Sequence, residues 1–264
     1  MKFGLIGHPI AHSLSPALFK AGYDGRYPYE LIETPDFEEA YTRFLKDYDG
    51  INVTAPFKEL AFAKADMLSE ECKVTGAANI LVKTSDGVKA YNSDYLGVRL
   101  LLQDTIQAPS DVVLIVGCGG AGKAAGAAAA SLGMEVILMN RSIDKAEAVA
   151  ESIRNMTGSV SVCPIDDFRQ AFRQADIVIY NIPSAIAGLN ELTAEDFNPG
   201  HRKTILEANY RNPSFDKSTL QKMSEANPMS EYISGKRWLL YQAVTGYEIF
   251  TGEKPDLSKM SDVL

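Results

Sequence analysis

Short apolar runs alternate with stretches of helical spacing along the first hundred residues. Lys2 to Gly7, Tyr29 to Glu33, Gly50 to Thr54 and Ala78 to Lys83 have the character of strands. Between them Pro16 to Gly22, Asp36 to Tyr48 and Glu59 to Ser69 carry apolar residues at amphipathic-helix spacing, and a further helix is predicted from Asp94 to Gln103. Strands alternating with helices imply a parallel sheet. The polar stretch Gln107-Ala108-Pro109-Ser110-Asp111 then punctuates the chain and marks a domain boundary.

Beyond it, Val112 to Val116 is a continuous apolar run, the mark of a strand buried on both faces. Glycines follow, then an alanine-rich helix from Lys123 to Leu132 and a strand from Glu135 to Met139, which together make a βαβ unit. Asp144 to Asn155, Ser159 to Cys163, Phe168 to Gln174, Asp176 to Tyr180 and Thr204 to Ala208 continue the alternation. Trp238 to Phe250 places Leu240, Val244 and Tyr247 at helical spacing and reads as a largely buried closing helix. The fold class is therefore α/β with two domains, and no internal repeat is present.

Gly117-Cys118-Gly119-Gly120-Ala121-Gly122 fits G-x-G-x-x-G between a predicted strand and a predicted helix, which is the context a dinucleotide-binding loop requires. The first glycine permits the tight turn, the second lets the backbone approach a pyrophosphate, and the third lets helix and strand pack closely. The helix N-terminus offers unpaired N–H groups to the phosphates. Gly117 to Lys123 also satisfies G-x-x-x-x-G-K, but Ala124 follows, so the hydroxyl that would bind magnesium in a nucleotide triphosphatase is missing. After the next strand comes Asn140-Arg141-Ser142, where an NAD site usually carries a carboxylate for the ribose. Arg141 can pair with a 2′-phosphate or stack on adenine and Ser142 can donate a hydrogen bond, which favours NADP(H). By itself Arg141 also reads as a solvated arginine at the start of a helix.

Composition narrows the function. Lys and Arg number 26 against 34 Asp and Glu, a formal charge of -8, so there is no broad basic field to follow a nucleic-acid backbone. The three cysteines, Cys72, Cys118 and Cys163, form no C-x-x-C pair, which excludes a zinc ribbon and fits a reducing compartment. His8 and His12 stand four apart with Pro9 between them and no third ligand evident, so a metal is not expected. The amino-terminal apolar stretch is too short for a signal sequence. The longest uncharged run, Ile177 to Asn190, is broken by Pro183 and Gly188 and falls short of the roughly 18 residues of a membrane span. A soluble, cytoplasmic protein of small-molecule chemistry is the expectation.

Four segments place polar residues where strands or turns should end: Gly7-His8-Pro9-Ile10-Ala11-His12-Ser13-Leu14-Ser15-Pro16, Asn52-Val53-Thr54-Ala55-Pro56-Phe57-Lys58, Gly76-Ala77-Ala78-Asn79 and Asn92-Ser93-Asp94-Tyr95-Leu96-Gly97. Together and in this order they resemble the shikimate dehydrogenase family, whose members interconvert 3-dehydroshikimate and shikimate with NADP(H). The resemblance covers most of the chain and is strongest up to about residue 141. It implies a substrate-binding domain at residues 1–104, completed by a helix returning at 236–264, and a Rossmann NADP-binding domain at 105–235, with the active site in the cleft between them. It also implies that Lys58 and Asp94 form the catalytic pair, that Ser13 and Ser15 bind the substrate carboxylate, and that Thr54, Asn79, Tyr210 and Gln242 contact substrate. Gly117, Gly119, Gly120, Ala121, Gly122, Asn140, Arg141, Ser142 and Gly235 are then the cofactor-binding residues. A place in chorismate and aromatic amino-acid biosynthesis follows from the family alone, and a monomer or homodimer is expected.

The chemistry agrees with that assignment. Reducing a ketone needs a hydride at carbon and a proton at oxygen, so a cationic donor beside the oxygen stabilises the developing alkoxide. Lys58 can be that donor, with Asp94 beside it to orient the ammonium. Plainer roles stand beside these: Ser15 and Asp94 as helix N-caps, Lys58 as a surface lysine, Gln242 as a satisfied core amide. Two other functions remain open, a quinate/shikimate dehydrogenase that accepts NAD and a nucleotide-sensing regulator without turnover. The family's Gly-Ala-Val-Asn-Thr is here Gly76-Ala77-Ala78-Asn79-Ile80, and its Asn-Thr-Asp is Asn92-Ser93-Asp94. Its Asn-Ala-Thr-x-x-Gly-Met survives only as Asn181-Ile182-Pro183-Ser184. Its Asp-x-x-Tyr-x-Pro is one residue longer, as Glu207-Ala208-Asn209-Tyr210-Arg211-Asn212-Pro213.

Overall fold

The structure is a computed structural model that describes residues 1–105, 111–154 and 159–264. In chain order the elements begin with β1 (Phe3–Gly7), α1 (Ser15–Gly22), β2 (Tyr29–Glu33), α2 (Phe37–Asp47), β3 (Gly50–Val53), α3 (Lys58–Lys64), β4 (Met67–Leu68), α4 (Glu70–Thr75), β5 (Ile80–Thr84), β6 (Gly87–Tyr91) and α5 (Ser93–Thr105). They continue with β7 (Val112–Val116), α6 (Gly120–Ser131), β8 (Glu135–Asn140), α7 (Ile143–Arg154), β9 (Val160–Pro164), α8 (Phe168–Gln174), β10 (Ile177–Tyr180), α9 (Ala187–Asn190), β11 (Thr204–Glu207), α10 (Lys217–Ala226), β12 (Glu231–Ser234), α11 (Gly235–Thr251) and α12 (Leu257–Ser261). The chain forms two compact units, one of Met1–Gly97 with Leu239–Leu264 and the other Val98–Trp238.

The first unit holds a six-stranded sheet in the order β2-β1-β3-β5-β6-β4. Residues alternate between its two faces, as pleating requires. On one face Ile6, Ile51, Val53 and Leu81 pack with Phe37 and Phe44 of α2; Asp36 accepts hydrogen bonds from the amides of Glu38 and Glu39, which starts that helix. On the other face Phe3 and Ile80 pack with Phe19 of α1 and with Tyr247 and Phe250 of α11. Phe3 and Phe250 stack with centroids 5.0 Å apart.

The second unit is a wholly parallel six-stranded sheet in the order β12-β11-β10-β7-β8-β9. This is the doubly wound order of dinucleotide-binding folds, and its direction of winding reverses between β7 and β10. The central strands are buried on both faces; Val113, Leu114, Ile115 and Val116 have no exposure. The loops that follow β7 and β10 therefore flank the point where such folds place their ligands.

Three expectations about strands and helices need correction. The first sheet is mixed, not parallel, because β5 runs antiparallel to β3 and to β6. The helix expected from Glu59 to Ser69 ends at Lys64, since Asp66 leaves it to pair with β6: its amide donates to Val88 O at 2.9 Å and its carboxylate accepts from the Val88 amide at 2.8 Å. α10 and β12 occupy a stretch, Lys217 to Ser234, for which no element was expected. The units divide inside α5 and α11, whereas the expected boundaries lie at 104/105 and 235/236. Of the positions on which expectations rested, Gln107 to Ser110 and Asn155 fall outside the described residues.

Candidate active site

In the first unit the polar segments gather on loops and helix starts. Lys58 is the first residue of α3 and Asp94 the second of α5, and Lys58 Nζ donates to Asp94 Oδ2 at 2.5 Å. The side chains are 29% and 16% exposed, so the ion pair is sheltered yet reachable from solvent. The carbonyl of Lys58 accepts from the Ala78 amide at 3.0 Å, which ties the segment before β5 to the same helix start. Asn79 is buried, and its Oδ1 accepts from the Ser93 amide at 2.7 Å and the Ser93 hydroxyl at 3.3 Å. That pairing fixes the orientation of the Asn79 amide and leaves its Nδ2 as a donor for something else.

The cap of α5 is not Asp94. Asn92 Oδ1 accepts from the Tyr95 amide at 3.2 Å, while Asn92 Nδ2 donates to Thr75 Oγ1 and the Ala77 carbonyl. Capping by Asn92 frees the Asp94 carboxylate for Lys58. Ser15 is likewise not a cap: it is the first residue of α1, and no side chain caps that helix. Instead the Ser15 amide donates to Ser13 Oγ at 3.2 Å, and Ser13 Oγ–H donates to Ser15 Oγ at 3.1 Å.

A residue absent from the expected set joins these loops. Tyr29 on β2 donates its hydroxyl to Asn52 Oδ1 at 2.7 Å. Burial holds its pKa well above the ordinary phenol value, so it stays a neutral donor. Asn52 in turn reaches the Asn79 carbonyl at 3.5 Å. Tyr29, Asn52, Asn79 and Ser93 thus form one polar chain beneath the helix starts. Half-buried Thr54 lies beside Gly7, where an added Cβ would run into its methyl group. Half-buried Gln242 lies on α11, whose backbone meets α5 at Gly97, one turn past Asp94.

In the second unit the glycines divide their work as the motif requires. Gly117 has φ +94°, which only glycine adopts without strain, and a Cβ there would stand 2.7 Å from Ile182 Cγ2. At Gly122 a Cβ would run into the Gly117 carbonyl. Around Gly119 and Gly120 nothing lies within 4 Å of that position, so the backbone there is open to an approaching group. Among the described residues no side chain caps α6, whose first turn carries half-buried Ala121, and the buried Asn181 Oδ1 after β10 has no hydrogen-bond partner. An open backbone, an uncapped helix start and an unpaired acceptor at the winding reversal fit a dinucleotide. Asn140 shapes the loop by accepting from the Cys118 amide at 3.3 Å and donating to the Ser142 carbonyl at 3.0 Å. Arg141 is exposed and makes no ion pair among the described residues. Burial pushes the Cys118 thiol up to about 12, which keeps it a protonated spectator in the loop.

Two other expected residues have different surroundings. Gly235 opens α11 so close to β11 that a Cβ would collide with the carbonyls of Glu207 and Ala208, which gives this glycine a packing role. Tyr210 is half-buried on the loop after β11, with the Arg211 guanidinium 5.9 Å from its ring. Among the described residues no group of three or more His, Cys, Asp or Glu could hold a metal ion, and no helix is long and apolar enough to cross a membrane.

Residues 5–81 match the sequence profile of the shikimate dehydrogenase substrate binding domain, and residues 101–206 match that of shikimate / quinate 5-dehydrogenase. A shikimate dehydrogenase (NADP(+)) from Rubrobacter xylanophilus is 32% identical, with the alignment covering 99% of this chain and 94% of that protein. The chain belongs to the shikimate dehydrogenase family. Among solved structures of shikimate dehydrogenases, the one from Mycobacterium tuberculosis is similar at a TM-score of 0.84 and 28% identity, over 100% of this chain and 99% of that one. The one from Thermus thermophilus, in complex with NADP(H) and shikimate, is similar at 0.80 and 27%, over 100% and 98%.

The departures from the shikimate dehydrogenase pattern now have physical readings. Ile80, in place of the family's threonine, is fully buried and packs toward Gly246 of α11, where a Cβ would stand 2.8 Å from its Cδ1. Ser93 keeps the hydroxyl that the family has there and spends it on Asn79. The segment after β10 is held from below by Tyr180, whose hydroxyl donates to the Ser184 carbonyl at 2.8 Å and accepts from the Ile186 amide at 3.2 Å.

Proposed function

We propose that this chain catalyses the reversible NADPH-dependent reduction of 3-dehydroshikimate to shikimate, a step toward chorismate and the aromatic amino acids. The observation that carries the reading is the Lys58–Asp94 pair at 2.5 Å, in a chain of this family. Lys58 holds a proton at Nζ, gives it to the ketone oxygen as negative charge develops there, and recovers it as a base in the reverse direction. Asp94 fixes the ammonium in one direction and balances its charge. Ser13 and Ser15 hydrogen bond the substrate carboxylate, and the Asn79 amide, Thr54, Tyr210 and Gln242 contact the substrate, its ring hydroxyls included. The Lys58, Asp94, Ser13, Ser15, Thr54, Asn79 and Gln242 set belongs to the unit of Met1–Gly97 and Leu239–Leu264, which is assigned the substrate.

The unit of Val98–Trp238 is assigned the cofactor. Gly117, Gly119, Gly120, Ala121 and Gly122 would hold its pyrophosphate on the backbone, Asn140, Arg141 and Ser142 its 2′-phosphate and adenine ribose, and Gly235 would border it. When bound, NADPH supplies the hydride. The reaction needs no metal; the place of action is the cytoplasm, and the working form is a monomer or homodimer. The deciding experiment measures turnover with shikimate and quinate, each with NADP and NAD, by absorbance of the reduced cofactor. Preference for shikimate with NADP is the expected result; preference for quinate with NAD would replace this reading.

A further inference from the structure

We propose that Glu207 is a positioning residue for Tyr210, acting through the loop that its carboxylate closes. The inference rests on the proposed role of Tyr210 as a shikimate contact. Glu207 ends β11 and has no exposure. Its side chain accepts from the amide of Ser214, from the amide of Phe215 at 3.3 Å and from the hydroxyl of Tyr232 at 2.8 Å. The two amides lie seven and eight residues further along the chain, so one buried carboxylate pins both ends of the segment 208–213. No cation pairs with it among the described residues. A charged head kept out of water by neutral donors alone is costly unless all of them are well placed, which makes the loop's closure sensitive to that head.

The segment is fixed from two further directions. Gly235 lies against the Ala208 carbonyl, leaving the strand end no room to shift downward. On the outer side Asn209 Nδ2 donates to the Asn212 carbonyl at 2.7 Å and to the Pro183 carbonyl at 3.2 Å, while the Asn212 amide donates to Asn209 Oδ1 at 3.3 Å. Tyr210 lies between these ties. Its ring position therefore depends on a buried acceptor-only group at one end and on a turn at the other. A glutamine at 207 presents an NH₂ to at least one of the donors and loses that bond, which releases one end of the loop.

The test is a double-mutant cycle with Tyr210→Ala, read as shikimate KM and kcat, NADP KM and the thermal unfolding midpoint. Glu207→Gln is expected to raise shikimate KM about tenfold with kcat changed less than about twofold and NADP KM unaltered, the signature of lost substrate positioning. In the Tyr210→Ala background the same substitution should change shikimate KM by less than about twofold, because the residue it acts through is gone. A purely structural role would lower the folded fraction, and so kcat, at unchanged KM. Should Glu207→Gln not fold, Glu207→Asp keeps the charge but withdraws it by one methylene and is read in the same cycle, with about a threefold rise in KM expected only where Tyr210 is present. A KM rise that persists without Tyr210, or a silent Glu207 variant beside a responsive Tyr210→Ala, overturns the positioning role alone. An unchanged KM in Tyr210→Ala itself removes the Tyr210 contact and this inference with it.

Discussion

The backbone of Gln242 lies against Gly97 so closely that a Cβ on Gly97 would stand 2.6 Å from the Gln242 nitrogen and 2.7 Å from its Cα. One turn along each helix a Cβ on Gly246 of α11 would stand 3.5 Å from Ser93 Cβ of α5, an ordinary contact. Gly97 is the residue that lets α11 approach the helix carrying Asp94. The expected consequence is that Gly97→Ala pushes α11 away, costing about 1–3 kcal/mol as overpacking does and raising the KM for shikimate as Gln242 withdraws. Thermal unfolding and steady-state kinetics check the two halves; a variant of wild-type stability and KM would show that the approach is not needed.

Lys58→Ala should lower kcat by about 10²–10⁴ while shikimate still binds, because the residue acts on a proton and not on ground-state affinity. Asp94→Asn should give a smaller loss with the same pattern, since the amide cannot balance the ammonium. Stopped-flow formation of NADPH together with shikimate binding by calorimetry reads both quantities. Ordinary turnover by Lys58→Ala would end its assignment as proton donor.

Arg141 is exposed and makes no ion pair among the described residues, as a reader of a bound phosphate would be. Arg141→Ala is expected to weaken NADP binding about tenfold or more and NAD binding less than about twofold, the difference being the charge-assisted contact to the 2′-phosphate. Titration of each nucleotide with the intrinsic fluorescence of Trp238 or by calorimetry gives the ratio. Equal losses would mean that the arginine reads only the shared part of the molecule.

Acid stability should depend on Asp196. Burial, the largest influence on this carboxyl, pushes its pKa up, but the Thr193 amide and hydroxyl together with Arg169 and Arg173 more than offset it and bring it down to about 2. A depressed carboxylate stabilises the fold fully above its unfolded pKa of about 3.9 and loses that contribution as pH falls through about 2. The shift corresponds to roughly 2 kcal/mol. Urea midpoints of wild type and Asp196→Asn should therefore differ at pH 6 and converge toward pH 2; a gap that stays constant over that range would show that ionisation of Asp196 contributes nothing.

Much of the second unit can be read from spacing because its signals are local. A buried β-branched run, three glycines at fixed intervals and an alanine-rich helix specify a strand, a turn and a close packing without help from distant residues. The Lys58–Asp94 pair was legible for another reason: the polar segments that carry the two residues resemble the family's in type and order, though 36 positions separate them. Other features needed partners that no local window shows. Ser85-Asp86 between Thr84 and Gly87 is a two-residue hairpin turn, and it makes β5 and β6 antiparallel where helix–strand alternation points to a parallel sheet. Asn92 and not Asp94 caps α5 because the helix begins at Ser93, which places Asp94 inside its first turn and leaves its carboxylate to Lys58. Tyr29 carries no motif, and Glu207, at the place of the family's aspartate in Asp-x-x-Tyr-x-Pro, shows its role only through the partners that burial brings to it beneath the 208–213 loop.

The stack of Phe3 on Phe250 has a consequence for how the chain reaches this state during synthesis. Val98–Trp238 is continuous and can form its sheet as soon as those residues have left the ribosome, whereas Phe3, Phe19 and Ile80 must wait exposed until Tyr247 and Phe250 arrive. The earlier-made unit is then the later to finish, with an apolar sheet face uncovered in the interval. Pulse proteolysis of nascent chains truncated after residue 238 and joined to a linker long enough to clear the ribosome should find Val98–Trp238 resistant and Met1–Gly97 cleavable, and that interval is when the chain depends most on chaperones.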